Sequence, residues 1–282
     1  MPTKKTIFDF QKMKRDGEKI ALISTYDYPT AQFAERVGID AILVGDSLGN
    51  CVYGYPAGTI PVTVDQQIGH TAAVRRGAPN TFIMGDMPFG SYQTSAEDAV
   101  RTAVRFHKEA GVDAIKPEGG RRVVNVIRAL SDAGMVVVGH IGLTPQSSGQ
   151  LGGYKAQGRT AESAHELIKD ARAVQEAGAA LLILEAVTPE VGKVITEELT
   201  IPVFGIGGGP YCDGQLLLLS DLLGIWEAFH PKFVKRYAEL GKQAVEALEE
   251  YIKDVKGKEF PKDEHCYQMI EGEAEKLQKL LG

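Results

Sequence analysis

Six ionisable residues of the 282-residue chain occupy the same kind of place, at the end of a short apolar run. Asp46 closes "AILVGD", Asp86 closes "TFIMGD", and Lys116 and Glu118 follow "DAI" in "DAIKPEGG". His140 follows "MVVVG", and Glu185 ends "ALLILE". Runs this short, built from Ile, Leu and Val, read as strands buried on both faces of a parallel sheet. A charge at the end of such a strand is costly unless a cation, hydrogen-bond donors or a ligand meets it. Each residue could alone be a helix cap, but their recurrence points to a shared binding site.

Asp46, Asp86 and Glu118 end the second, third and fourth runs. Adjacent strands lie about 4.8 Å apart, so three carboxylates there repel unless a cation joins them. The trio lacks the His and Cys that zinc favours, and an all-oxygen set suits Mg²⁺. Lys116 shares a face with Glu118 by the two-residue period of a strand. It is expected to meet a substrate carboxylate or oxyanion, or to pair with Asp86 or Glu118. Ser47 offers a hydroxyl and an N–H to an anion, or caps the next helix. Glu185, expected well round from the trio, suits a base that takes a proton beside a carbonyl polarised by the metal. Its alternatives are a cap or an outer ion pair. His140 is a base, a ligand, a donor or a structural partner. The glycines of "GIGGG" (205–209) either cradle phosphate or make room for a ligand. They form no dinucleotide fingerprint, because Pro210 replaces the last glycine.

The elements that must hold these residues alternate. Apolar runs are followed by helical patterns such as "SAEDAVRTAVRFHKEAG" and "AESAHELIKDARAVQEAG", several of which stop at Gly38, Gly111, Gly134 or Gly178. Seven strands are clear, and a weaker eighth lies within 215–226. Repeated β-then-α units of this kind predict a single (β/α)8 TIM barrel over residues 1–282, with an N-terminal helix and a C-terminal helical extension. Its carboxyl mouth would gather all six residues, whereas a doubly wound open sheet would gather fewer. The Gly- and Ser-rich connection 142–160 leaves that mouth and reads as a lid. Residues 231–255 place Phe233, Tyr237, Leu240, Val245, Leu248 and Ile252 at helical spacing. They are expected to form one helix, packed on the barrel or against another subunit.

Composition narrows the partners. Hydrophobic residues make up 44% and the net charge is -6, which disfavours nucleic acid and anionic membranes. Cys51, Cys212 and Cys266 are scattered, without metal or disulfide spacing, as in reduced cytosolic proteins. No run is long enough to cross a bilayer, and the first residues lack a signal-peptide core. The expectation is a cytoplasmic enzyme acting on small molecules.

The motifs "TYDYP", "LVGDSLG", "GDMPFGSY", "IKPEGG", "GHIGLTPQS", "GGYKAQGR", "LLILEAV" and "FPKDEH" run in order along nearly the whole chain. In this order they resemble the ketopantoate hydroxymethyltransferase family. The resemblance implies a Mg²⁺-binding (β/α)8 barrel that assembles as a homo-oligomer, commonly a decamer. It implies that Asp46, Asp86 and Glu118 hold Mg²⁺, in part through water. Asp46, Ser47, Asp86 and Lys116 would bind the 2-oxo acid, and Glu185 would be the base. It implies transfer of a one-carbon unit from 5,10-methylenetetrahydrofolate to C3 of 3-methyl-2-oxobutanoate, giving 2-dehydropantoate for pantothenate. Tyr26 and His140 would line the pocket.

Three positions depart from the family pattern. Pro210 and Tyr211 follow the glycines where a polar residue is usual, which bears on the folate. Pro117, between Lys116 and Glu118, gives up a backbone N–H, so its strand is expected to lose a ladder bond. Two rival readings are a lyase or mutase of the related phosphoenolpyruvate-utilising barrels and a barrel without activity. The first lacks a catalytic cysteine loop, and intact acidic positions argue against the second.

Overall fold

A computed structural model of the chain describes residues 4–227 and 231–282. Eight parallel strands form one sheet: β1 (Ile20–Ser24), β2 (Ala41–Val44), β3 (Phe82–Asp86), β4 (Ala114–Lys116), β5 (Val138–Gly142), β6 (Leu181–Glu185), β7 (Val203–Ile206) and β8 (Gly214–Leu218). β1 pairs with both β2 and β8, so the sheet curls round, with helices between successive strands from β1 to β7 and, among the described residues, none between β7 and β8. The (β/α)8 barrel is thus observed, its weak eighth strand included. The rest of that eighth run turns into the short helix Leu219–Leu222.

The barrel closes between β4 and β5 through a single bridge, Ile115 with Val137, supported by Ile115 N–H to Val136 O at 2.9 Å. Pro117 accounts for the thin seam. In a strand, alternate residues donate to the same neighbour, so the next donor towards β5 falls at 117, where proline has none. Pairing resumes at Gly119, whose N–H donates to His140 O at 2.9 Å.

The two-residue period sorts each strand into two cores. Ile23, Ile42, Ile83, Ile115 and Leu182 face the surrounding helices. Leu22, Leu43, Met84, Ile183 and Leu216 fill the barrel with Phe10 and Met13. Those last two come from the N-terminal helix Ile7–Asp16. Phe10 sets its ring edge-on to Phe82 at 5.1 Å and Phe204 at 6.2 Å, so this helix plugs the amino end. Continuing the same inward rows upward, Phe82–Met84 leads to Asp86, Ala114 to Lys116, Val138 to His140, and Leu181–Ile183 to Glu185. One periodicity builds an apolar floor and a polar mouth. Gly38, Gly111, Gly134 and Gly178, which end outer helices, all take positive φ.

The C-terminal extension differs from expectation. Its helix starts only at Leu240, as Leu240–Gly257. The N–H groups of Tyr237, Leu240 and Gly241 donate instead to Leu222, Leu223 and Gly224 carbonyls at 2.8, 2.9 and 2.9 Å, which holds 231–239 out of the helix. Beyond Val234 no described side chain is buried, so this helix does not pack into its own barrel.

Candidate active site

Every residue singled out at a strand end reaches the carboxyl mouth, where a cavity of about 700 Å³ is lined by Asp46, Ser47, Asp86, Lys116, Glu118, His140 and Glu185, among others. Their local partners exclude the capping alternative. Asp86 accepts the Asp46 N–H at 2.9 Å on Oδ2, and its Oδ1 lies 2.6 Å from Lys116 Nζ. Asp46 Oδ2 accepts from Gln146 Nε2 at 2.9 Å, and Glu118 Oε1 accepts from Gln146 N–H at 2.8 Å. Ser47 precedes the short helix Leu48–Cys51 without a capping bond, and its Oγ lies 2.8 Å from the Tyr26 hydroxyl. Asp27, by contrast, is a plain cap: Oδ1 accepts the Thr30 N–H at 2.8 Å.

Glu185 stands nearer the acidic trio than expected. Only β5 separates β4 from β6, and His140 of β5 fills the gap. Its Nδ1 lies 3.3 Å from Glu118 Oε2 and its Nε2 lies 3.2 Å from Glu185 Oε2. The Glu185 side chain stays 18% exposed, whereas those of Asp86 and Glu118 are within 2% of fully buried, so Glu185 is the carboxylate open to the cavity.

Burial dominates the electrostatics. It pushes the Asp86 carboxyl up to about 7 against the pull of Lys116, with Asp46 adding repulsion. Burial likewise raises Asp46, opposed by Lys116 and reinforced by Glu118. On His140, burial and Lys116 act downward, but the contacts to Glu118 and Glu185 win and push it up to about 9. Lys116 is raised because Asp86, Asp46 and Glu118 together outweigh its burial.

On the β2–β6 side of the mouth four carboxylates, Asp46, Asp86, Glu118 and Glu185, stand with two cationic groups, Lys116 and His140. That shortfall of positive charge, with oxygen donors only, fits a divalent hard cation. The trio does not close around one point: among the described residues no three His, Cys, Asp or Glu side chains form a ready metal cluster. Lys116 contacts an oxygen of Asp86, and Gln146 donates to Asp46 and Glu118, contacts that each leave the carboxylate further acceptor sites.

Three features escape the strand-end rule. Gln146 lies in the connection after β5 and is buried. Its amide joins Asp46, the Met87 carbonyl and Tyr92 at 2.9, 2.9 and 2.7 Å. That connection is therefore no simple lid. Pro145, Tyr154 and Lys155 line the mouth, but Gln146 anchors its start and Gln157 N–H bonds Ala186 O at 2.8 Å. Cys51 also lines the cavity. Burial raises its thiol, with Asp221 adding to the rise, so it is not an activated nucleophile. The glycines after β7 are explained by packing. A Cβ on Gly207 would lie 2.6 Å from Phe233 and one on Gly209 2.8 Å from Pro189. Neither Pro210 nor Tyr211 lines the cavity.

A parallel barrel with its polar residues massed at the carboxyl mouth is an enzyme scaffold, and the solved structures it resembles are of that class. Phosphonopyruvate hydrolase, in complex with oxalate and Mg++, superposes with a TM-score of 0.59 at 14% identity over 98% of both chains. For 2,3-dimethylmalate lyase the values are 0.58 and 17% over the whole of both chains. At such identity the likeness is one of fold alone, and the lyase or mutase reading survives only in that sense. The sequence goes further. The family model for ketopantoate hydroxymethyltransferase matches residues 4–263. The 3-methyl-2-oxobutanoate hydroxymethyltransferase of Alkaliphilus metalliredigens is 58% identical, covering 100% of this chain and 99% of that one. That of Geobacillus kaustophilus is 54% identical, covering 94% and 95%. The chain belongs to the ketopantoate hydroxymethyltransferase family.

Proposed function

We propose that this protein transfers a hydroxymethyl unit from 5,10-methylenetetrahydrofolate to C3 of 3-methyl-2-oxobutanoate, giving 2-dehydropantoate in pantothenate biosynthesis. The names of its relatives support the acceptor and the transfer. The observation that carries the mechanism is the line Glu118–His140–Glu185, which sets one partly exposed carboxylate beside a buried acidic cluster.

Lys116, with Ser47, would hold the anionic end of the oxo acid, since its buried ammonium offers a permanent charge beside the acidic cluster. Glu185 would take the C3 proton. His140, held between two carboxylates, would keep Glu185 turned towards the acid. Asp46, Asp86 and Glu118 would hold Mg²⁺, in part through water; when bound, the ion would polarise the 2-oxo group and offset the charge left when the proton goes. The buried floor excludes water from that charge. We further infer a homo-oligomer, with a decamer as the expected size, in the cytoplasm. Three free cysteines suit a reducing compartment, and among the described residues no helix is long and apolar enough to cross a membrane.

The test is an assay with 3-methyl-2-oxobutanoate and 5,10-methylenetetrahydrofolate, with Mg²⁺ and after exhaustive chelation. Product formation that needs both substrates and returns with Mg²⁺ supports the reading. Full turnover after metal removal ends the metal part of it. No turnover with any metal ends the whole.

A further inference from the structure

The cavity is far larger than the oxo acid needs. About 700 Å³ falls among pockets that take drug-sized ligands, and the acidic cluster with Lys116 and Glu185 occupies only the β2–β6 side. On the other side the mouth is walled by Ile206, Leu216, Leu218, Trp226 and Phe233. One carboxylate belongs to this apolar wall: Asp221, on the helix Leu219–Leu222, 4% exposed and lining the same cavity. At the rim stand Lys155 and Lys232. Both are exposed, and neither forms an ion pair with another described residue.

Each of these features selects part of a ligand. A carboxylate in an apolar wall is met best by side-by-side N–H donors, which its two oxygens accept together. Its several acceptor sites leave room for a ligand beside partners within the protein. Trp226 and Phe233 offer flat apolar surface to a ring. Lysines at the opening attract an anionic tail, and Asp221 repels one. We propose that this wall is the subsite for the pterin ring of the reduced folate. Asp221 accepts from the 2-amino group and the neighbouring ring N–H, Trp226 lies against the ring, and Lys155 and Lys232 face the glutamate carboxylates. The proposal rests on the folate reading above and adds to it the residues that bind the donor.

Trp226 is the single tryptophan of the chain, so its fluorescence reports on this wall alone. Titration of the wild-type protein with 5-formyltetrahydrofolate is expected to quench it. Asp221→Asn presents a donor where the ring offers donors, and the affinity should fall roughly 10- to 100-fold, the usual loss for a charged hydrogen-bond pair. Melting temperature and oxo-acid binding check that the variant is folded. Lys155→Met with Lys232→Met keeps Asp221. It should weaken 5-formyltetrahydrofolate while leaving the tail-less 5-formyltetrahydropterin at wild-type affinity, a result that stands even if the Asp221 variant does not fold. Guanosine monophosphate, which shares the same donor edge, should bind much more weakly than the folate.

Wild-type protein that binds no reduced folate overturns the donor itself. Folate binding that survives Asp221→Asn unchanged overturns the subsite and leaves the donor standing. Equal loss of the folate and the tail-less pterin in the lysine variant overturns the assigned orientation. Guanosine monophosphate binding as tightly as the folate overturns the choice of ring.

Discussion

His140 Nε2 lies 3.2 Å from Glu185 Oε2, which joins the fifth and sixth strands of the barrel at the most open carboxylate of the acidic cluster. The ring's other nitrogen faces Glu118, so the imidazole cannot turn without breaking a contact to one acid or the other. Glu185 is thereby aimed, and in the proposed mechanism His140 would act through it.

The first prediction follows from that aim. Wild-type protein with Mg²⁺ should exchange the C3 proton of 3-methyl-2-oxobutanoate with solvent deuterium, read by NMR, without any folate. Glu185→Gln keeps size but cannot accept the proton. Exchange should fall roughly 10²- to 10⁴-fold, the usual contribution of a general base, with oxo-acid binding retained. His140→Asn should lower kcat and leave KM near the wild-type value. If Glu185→Gln exchanges at the wild-type rate, the base is another group.

Gln146 gives the second prediction. Gln146→Leu removes the donors to Asp46 and Met87, while the Tyr92 hydroxyl loses its amide partner but keeps its bonds to the Glu118 backbone. Each buried polar group so stranded costs about 1–3 kcal/mol, so urea unfolding should show a loss of that size or more. Mg²⁺ affinity by calorimetry should fall as well, because the Asp46 carboxylate is no longer held in place. A variant of unchanged stability and affinity would mean that water replaces the amide at no cost.

These two residues mark the limits of what the sequence reveals. Asp46, Asp86, Lys116, Glu118, His140 and Glu185 were legible because burial makes a charge at the end of an apolar run conspicuous, and because the two-residue period assigns it to the barrel interior. Gln146 carries no charge and sits in an irregular connection, so neither signal reaches it. Asp221 lies in a run of leucines that reads first as strand, and its place on the cavity wall follows only from the turn into helix after Leu218. The glycines of "GIGGG" suggested a ligand, yet it is Phe233 and Pro189 that crowd them, a contact no local pattern encodes. For the same reason the start of the last helix was misplaced: carbonyls of 222–224 claim its first N–H groups from a distance along the chain.

The amino end of the barrel supplies the third prediction. Phe10 is fully buried between Phe82 and Phe204, far from the chemistry at the other mouth. Phe10→Ala should cost about 3–5 kcal/mol, the range for deleting a buried phenyl ring, seen as a lower denaturation midpoint. The KM for the oxo acid should stay at the wild-type value at temperatures where the variant is folded. A changed KM with unchanged stability would show that the plug communicates with the site.

The fourth prediction concerns the helix Leu240–Gly257. Val245, Leu248, Ile252 and Val255 recur at spacings of three and four residues, so they share one face, and they are 54%, 61%, 48% and 43% exposed. Tyr251, 55% exposed, stands beside them. A contiguous apolar stripe left open marks an interaction site, and its own barrel supplies no cover, since no residue of this helix is buried. The proposed homo-oligomer would cover it with another copy. Leu248→Asp combined with Ile252→Asp places two charges in the centre of the stripe, where each would be desolvated without a partner. The barrel core is untouched, so the variant should fold, and its circular dichroism should match the wild type. Sedimentation velocity should then show a species of lower mass than the wild type at the same concentration. An assembly of unchanged mass would place the subunit contacts elsewhere and leave this stripe for a different partner. A wild-type chain that sediments as a monomer would remove the homo-oligomer altogether.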